Sequence, residues 1–221
     1  MSYNDPALLQ QWENAFVEFL QGRESDDASH DISHFQRVWR TASRLLNDGD
    51  MSVNRLVILT ACYFHDIIVL PKNHPQRSMA STLAAEETER CLEELAFPQD
   101  LIGDVCHAVK THSYSAGIEP ETIEAKVVQD ADRMEALGAI GLARCFYTGG
   151  KLKQKLFDPH DPLAEHRELD DRLYSLDHFE LKLLNIADSM QTEAGRQMAE
   201  RSSQFLRDFR DQLCRELRGE Y

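Results

Sequence analysis

The chain has 221 residues, 42% hydrophobic and 28% charged, which suits one well-packed domain, or one with a small cap, and is too apolar for disorder. Its 24 basic side chains against 38 acidic ones leave a formal net charge of −14, a field that repels the nucleic-acid backbone and anionic membrane surfaces. Five cysteines, odd in number and without a CxxC pair, argue against a disulfide framework and for a reducing compartment. Met1 to Pro6 lacks the basic start and apolar run of a signal peptide. No apolar stretch reaches the roughly 18 residues that suggest a membrane span, so a cytoplasmic location is expected.

The first predicted helix starts at Asp5-Pro6, an N-cap acid followed by the residue favoured at the first helical position, and ends at Gly22. Leu8, Leu9, Trp12, Phe16, Phe19 and Leu20 repeat along it at helical spacing. After a polar stretch, a second helix carries Ile32, Phe35, Val38, Trp39, Ala42, Leu45 and Leu46 on one buried face. Val53 to Leu70 leaves almost no polar face and predicts a helix buried on all sides, stopped by Pro71 and Pro75. Helices are predicted over Ser78 to Leu95, over Pro98 to His112, and from Glu121 to about Phe146. Gly138 and Gly141 permit a break in the last of these, and Gly149-Gly150 ends it. Lys151 to Glu168, with Pro159 and Pro162, reads as a long loop. Phe179 to Ile186 and Thr192 to Leu217 return to helix, with Phe205, Phe209, Leu213 and Leu217 spaced by four. The fold class is all-α.

His-Asp dipeptides occur three times, at His30-Asp31, His65-Asp66 and His160-Asp161, so the pair alone carries no information. Asp31 stands where a helix cap belongs, and the third pair lies in the proline-rich loop. Only His65-Asp66 falls in the all-apolar segment. A lone buried carboxylate costs several kcal/mol, so Asp66 must pair with a cation, take a proton or bind a metal. Pairing with an arginine, or capping a backbone group, is the plainer alternative. A metal with imidazole and carboxylate ligands accounts for both residues at once. His34, bordering the apolar face of the second helix, is the next candidate. Ile123, Val127, Ala131 and Met134 define the inward face of a later helix, and Asp130 and Asp132 flank it about 200° apart. Periodicity does not choose between those two acids.

His34-Phe35-Gln36-Arg37-Val38, Phe64-His65-Asp66-Ile67 and Ala131-Asp132-Arg133-Met134 resemble the H…HD…D signature of the HD-domain phosphohydrolase superfamily. Ser81 to Glu87 and Gln129 to Arg144 resemble its YedJ/YpgQ-type bacterial subgroup, a likeness that covers nearly the whole chain. The resemblance implies a single HD-type helical bundle over 1–221. Its metal-binding core spans about 25–150, followed by a loop over 149–170 and added helices over 171–218. It implies His34, His65, Asp66 and Asp132 around one divalent ion, and so selects Asp132 over Asp130. The ligand types suit Mn²⁺, Co²⁺, Ni²⁺ or Zn²⁺, and the subgroup points to Mn²⁺ or Mg²⁺.

Catalytic roles are expected for Asp66, as ligand and proton acceptor, and for His112, facing a phosphate or the leaving group. For His112 a surface or helix-end histidine is the bland alternative. Lys72 and Arg77, after the metal segment, are candidate substrate contacts, though charges there are commonly just solvated; Lys182, which resembles a subgroup position, is another, with a supporting or structural role as its alternative. Asp130 and Glu86 also resemble subgroup positions. Lys151, Lys153 and Lys155 form either a lid over an anionic substrate or a solvated loop. Ile67 to Leu70 supplies none of the acids that alarmone-cleaving relatives place after the pair, and the extra histidines of two-metal phosphodiesterases are mostly missing. The expectation is a metal-dependent phosphohydrolase of small phosphorylated metabolites, nucleotides first, in particular nucleoside triphosphates cleaved to monophosphate and pyrophosphate. Neither nucleic acid nor membrane is an expected partner, and a homodimer is compatible with the sequence. The alternatives are a di-iron oxygenase of the same fold, which would draw on His112 and His74, and a non-catalytic nucleotide sensor.

Overall fold

The computed structural model describes residues 3–21, 31–46, 52–70, 74–114 and 116–221. Among these the regular structure is helical, with one isolated parallel bridge between Lys155 and Tyr174. The chain divides into two compact units, Met1–Asp132 and Arg133–Tyr221.

The first unit is built around a short central helix. Helix α1 spans Pro6–Gln21, α2 Ile32–Leu45 and α3 Arg55–Phe64; α4 spans Ala80–Glu94, α5 Ile102–Thr111 and α6 Ile123–Met134. Asp5 caps α1 through the Ala7 N–H, and Asp31 caps α2 through the His34 N–H. Asn54 caps α3 by accepting from both Leu56 and Val57. Every residue of α3 from Leu56 to Phe64 is buried, and the helix packs against α1, α2, α4 and α5. Full burial of each of Leu56, Ile58 and Leu59 stabilises the fold by about 1.5–3 kcal/mol. Thr60, the polar residue in this run, gives its hydroxyl to the Leu56 carbonyl one turn back. Phe16 meets Phe64 edge-on at 5.3 Å, and Tyr63 donates its hydroxyl to Glu13 at 2.7 Å.

The expected helix over Val53 to Leu70 is shorter than its hydropathy implies. It stops at Phe64, well before Pro71, with His65 as its C-cap. The next N–H bonds change to a tight turn, Ile67 to the Phe64 carbonyl. That turn takes His65-Asp66 out of the helix barrel and lets both side chains leave the helix end together. Apolar composition implies burial, but full burial ends at His65 and the apolar residues Ile67 to Leu70 are only partly buried.

In the second unit α7 spans Gly138–Lys151, α8 Asp177–Leu181 and α9 Glu193–Leu217. Its core holds Leu137, Leu176, Phe179, Ala199 and Leu206, with Phe146 and Phe209 packed against it. The expected helix from Glu121 to Phe146 is two helices with a break over 135–137. Ile123, expected inward on α6, is 41% exposed, while Asp130 is fully buried. Gly149-Gly150 does not end α7, which runs through both. Gly149 is required by contact instead: a Cβ there would lie 2.1 Å from Ser175 Oγ. On α9 the residues spaced by four do not form one core stripe. Phe205 and Leu217 are exposed, and Ala199, Ser203, Leu206 and Cys214 face inward. Gly22, the expected end of α1, lies outside the described residues.

Candidate metal centre

Three helix ends in the first unit bring their side chains to one point. His34 sits in the first turn of α2, where its backbone N–H is held by Asp31 at 3.0 Å. His65 caps α3, and its Nδ1 lies 3.0 Å from the Cys62 carbonyl. His112 caps α5 in the same manner, its Nδ1 2.6 Å from the Val109 carbonyl. A carbonyl can only accept, so each of these Nδ1 atoms carries a hydrogen, and in the neutral ring Nε2 is left with a lone pair. Both imidazoles are therefore preset to offer Nε2. Both are buried, as is His34.

The Nε2 atoms of His34 and His65 lie 3.1 Å apart. Asp66 Oδ2 is 3.9 Å from His34 Nε2 and 3.6 Å from His65 Nε2. Asp132 Oδ1 is 3.8 Å and 3.5 Å from the same two atoms. Ligands about 2.1 Å from a common ion stand roughly 3.0 Å apart in octahedral and 3.4 Å apart in tetrahedral geometry, close to these separations. With its Nδ1–H on the Cys62 carbonyl, the neutral His65 ring aims its Nε2 lone pair toward this point, where a cation could accept it. The donor set of buried imidazole nitrogens and carboxylate oxygens fits a divalent metal ion. His112 extends the cluster: its Nε2 is 3.5 Å from Asp66 Oδ1, and with His65 and Asp132 it forms a second three-donor group.

The carboxylates control the charge of the cluster. Burial opposes a charge on His65, but the neighbouring Asp66 and Asp132 outweigh it and raise the ring to about 9. Burial pushes Asp132 upward as well, yet the hydrogen bond and charge of His65 overcome this and hold its carboxyl far below the usual range.

Residues 31–137 match the family model described as HD domain. The YpgQ protein of Bacillus subtilis strain 168 is 30% identical over 207 residues, covering 91% of each chain. The chain belongs to the HD-domain superfamily. Its relatives include YpgQ, whose crystal structure matches with a TM-score of 0.73 at 26% identity over 96% of this chain and 100% of that one. An HD-superfamily hydrolase from Bacillus thuringiensis matches with a TM-score of 0.70 and 32% identity, over 94% and 97% of the two chains. YpgQ has also been crystallised in complex with ADP; that structure matches at 0.69 with 27% identity over 96% of each chain.

The HD fold brings together all four residues expected around the ion, His34, His65, Asp66 and Asp132, with His112 beside them. Asp130, the alternative acid, is wholly buried on α6, and Glu86 is exposed on α4. Arg77 is half-buried and donates to the Leu70 carbonyl, which braces the segment after the cluster. Lys72 lies outside the described residues. Lys182 is half-buried just after α8, in the second unit. His74 accepts the Gln76 N–H at 3.1 Å within its own turn. Asp31 is the helix cap it was expected to be.

The loop after α7 is not loosely solvated. Arg167 donates to both oxygens of the buried Asp177 at 2.6 and 2.8 Å and lies 4.6 Å over the Tyr174 ring. Tyr174 in turn donates to Asp158 at 2.8 Å. Lys151 and Lys155 lie over the rings of Tyr147 and Tyr174. Sequence reasoning missed this network because its members are polar residues without periodicity. It also missed Gln129, a polar residue on a face read only for its apolar and acidic positions.

Proposed function

We propose that this chain is a metal-dependent phosphohydrolase that cleaves small phosphorylated metabolites, most readily nucleotides, with water as nucleophile. The observation that carries the reading is the convergence of Asp66 and Asp132 on His34 and His65, the two histidine nitrogens 3.1 Å apart and each carboxylate 3.5–3.9 Å from both. These four residues would hold one divalent ion, with Mn²⁺ or Mg²⁺ preferred. When bound, such an ion polarises a phosphoryl oxygen and lowers the pKa of water. The nucleotide preference is supported by the ADP complex of YpgQ. Cleavage of triphosphates to monophosphate and pyrophosphate rests on the subgroup resemblance.

The protein groups supply proton handling. Asp66 turns Oδ2 toward the two imidazoles and Oδ1 toward His112. Oδ1 is placed to accept the proton of the attacking water. His112 Nε2, 3.5 Å away, is placed to take that proton and return it to the leaving phosphate oxygen. Its Nδ1–H stays on the Val109 carbonyl throughout, which keeps Nε2 as the working atom. Arg77 and Lys72 are proposed phosphate contacts. A cytoplasmic setting is part of the same reading; none of the five cysteines is in a disulfide, and no described helix is long and apolar enough to cross a membrane.

The test is a phosphate and pyrophosphate release screen across nucleotides with Mn²⁺, Mg²⁺, Co²⁺, Ni²⁺ and Zn²⁺ in turn. Asp66→Ala and Asp132→Ala should lose bound metal and reduce turnover by at least about 10³-fold. Full activity in both variants would sink the site assignment. His112 within the cluster also favours a second reading, a di-iron oxygenase. Metal analysis separates the two, since two irons per chain would exclude the hydrolase.

A further inference from the structure

Helix α5 ends at Thr111, and the last carbonyls of a helix have no N–H partner within it. Here they are met by side chains. The His112 ring takes the Val109 carbonyl, the Thr111 hydroxyl reaches the Ala108 carbonyl at 3.4 Å, and the Gln129 amide takes the Thr111 carbonyl at 2.6 Å. The first two bonds stay within α5. The third comes from α6, three residues before Asp132, and so ties the acid's helix to the peptide unit that carries His112.

We propose that Gln129 is a positioning residue. Its side-chain amide clamps the Thr111 carbonyl and thereby sets His112 Nε2 beside Asp66. Gln129 is 1% exposed, and its Oε1 is buried without a hydrogen-bond partner among the described residues. A buried amide that leaves its oxygen unsatisfied is an unfavourable choice for packing alone, where methionine or leucine would fill the space without penalty. What the amide provides that those residues lack is a donor, and that donor is spent on Thr111. The orientation is unambiguous: only the nitrogen end can face a carbonyl. Of the cluster, Asp132 is also tied to this clamp, through the α6 backbone, but its side chain meets His65 across a different contact. The directed effect therefore falls on His112.

The kinetic consequence rests on the phosphohydrolase reading; the structural one does not. The experiment uses the full chain loaded with Mg²⁺ and labelled with ¹⁵N-histidine, as wild type, Gln129→Met and the isosteric Gln129→Glu. Circular dichroism establishes that each variant folds. The expected result is that ring signals of His112 move while those of His34 and His65 stay. Metal content should be unchanged, kcat should fall about tenfold and KM should stay within about twofold. In His112→Ala, adding Gln129→Met should cause no further loss, because a residue acting through His112 has nothing left to position. Unmoved His112 signals in both variants, or losses that add in the double variant, would overturn the proposal. Should the wild-type protein turn over no nucleotide, the phosphohydrolase reading fails, and the ring signals alone decide whether Gln129 positions His112.

Discussion

His65 carries the most consequential charge in the cluster. Asp66 and Asp132 raise its ring from 6.5 to about 9, against the opposing effect of burial. In the metal-free protein the stabilisation from this charge is complete below pH 6.5 and is lost as pH rises through about 9. A metal ion needs the lone pair that this proton occupies, so binding releases it. Metal affinity should therefore climb between pH 6.5 and 9, by up to about tenfold per unit, and calorimetric titration in buffers of different ionisation heat should count close to one proton released. Affinity that is flat across this window would show that His65 is not a ligand. At this scale much was legible in the sequence. A histidine and an aspartate in an apolar segment demand a partner, and His34 borders an apolar face. Asp130 and Asp132 were not separable by periodicity, since both flank the same buried stripe. They are separated by contact with His65, 3.5 Å from Asp132.

Helix α3 shows how an element serves the cluster. Nine of its ten residues, Leu56 to Phe64, are buried, and Asn54 satisfies two of its N-terminal N–H groups at once. The N–H of Asn54 itself is taken by Glu124 of α6 at 2.8 Å, so the cap is braced from the element that carries Asp132. Asn54→Ala should cost about 1 kcal/mol and lower the melting temperature by roughly 2–4 °C, read by thermal denaturation. An unchanged midpoint would show that the cap is dispensable. The segment between α7 and α8 yields a second prediction. Asp177 is wholly buried and its partner is Arg167, so Arg167→Met leaves a buried carboxylate with only the Asp170 N–H. Removing one partner of such a pair typically costs about 3–5 kcal/mol. Brief trypsin treatment should then cut at Lys153, Lys155 or Arg172 much faster than in wild type. Equal cleavage would mean that the segment is already loose and that the lid reading of its lysines is alive.

For the whole molecule, the first unit contributes every side chain of the cluster, and the excess of acid over base makes a cation the natural complement. A ligand that binds only the folded state stabilises it by RT ln(1 + [L]/Kd), about 2.7 kcal/mol at a hundredfold excess over Kd. Chelation should accordingly lower the melting temperature by several degrees, and the preferred divalent ion should restore it. If no divalent ion shifts the midpoint, the donors do not form a binding site. The net charge of −14 keeps polyanions at a distance, so a small phosphorylated substrate depends on local positive charge from the ion and nearby cations.

The likeness of three short motifs to one family supplied the candidate donors, whereas the helical class, the buried central segment and the cap at Asp31 were determined by the sequence itself. Each depends on a local pattern: residue periodicity, a capping side chain or the cost of a carboxylate in apolar surroundings. Only the tertiary structure decided that α3 ends at Phe64, that His112 turns toward Asp66, and that Gln129 grips Thr111. It also decided that Gly149 serves a close contact with Ser175 instead of a helix stop. These depend on which surfaces meet, and residues far apart in the chain are brought together by packing that no single segment encodes. His65-Asp66 was conspicuous in the sequence, but the geometry that would let it hold an ion belongs to three helix ends and one flank of α6.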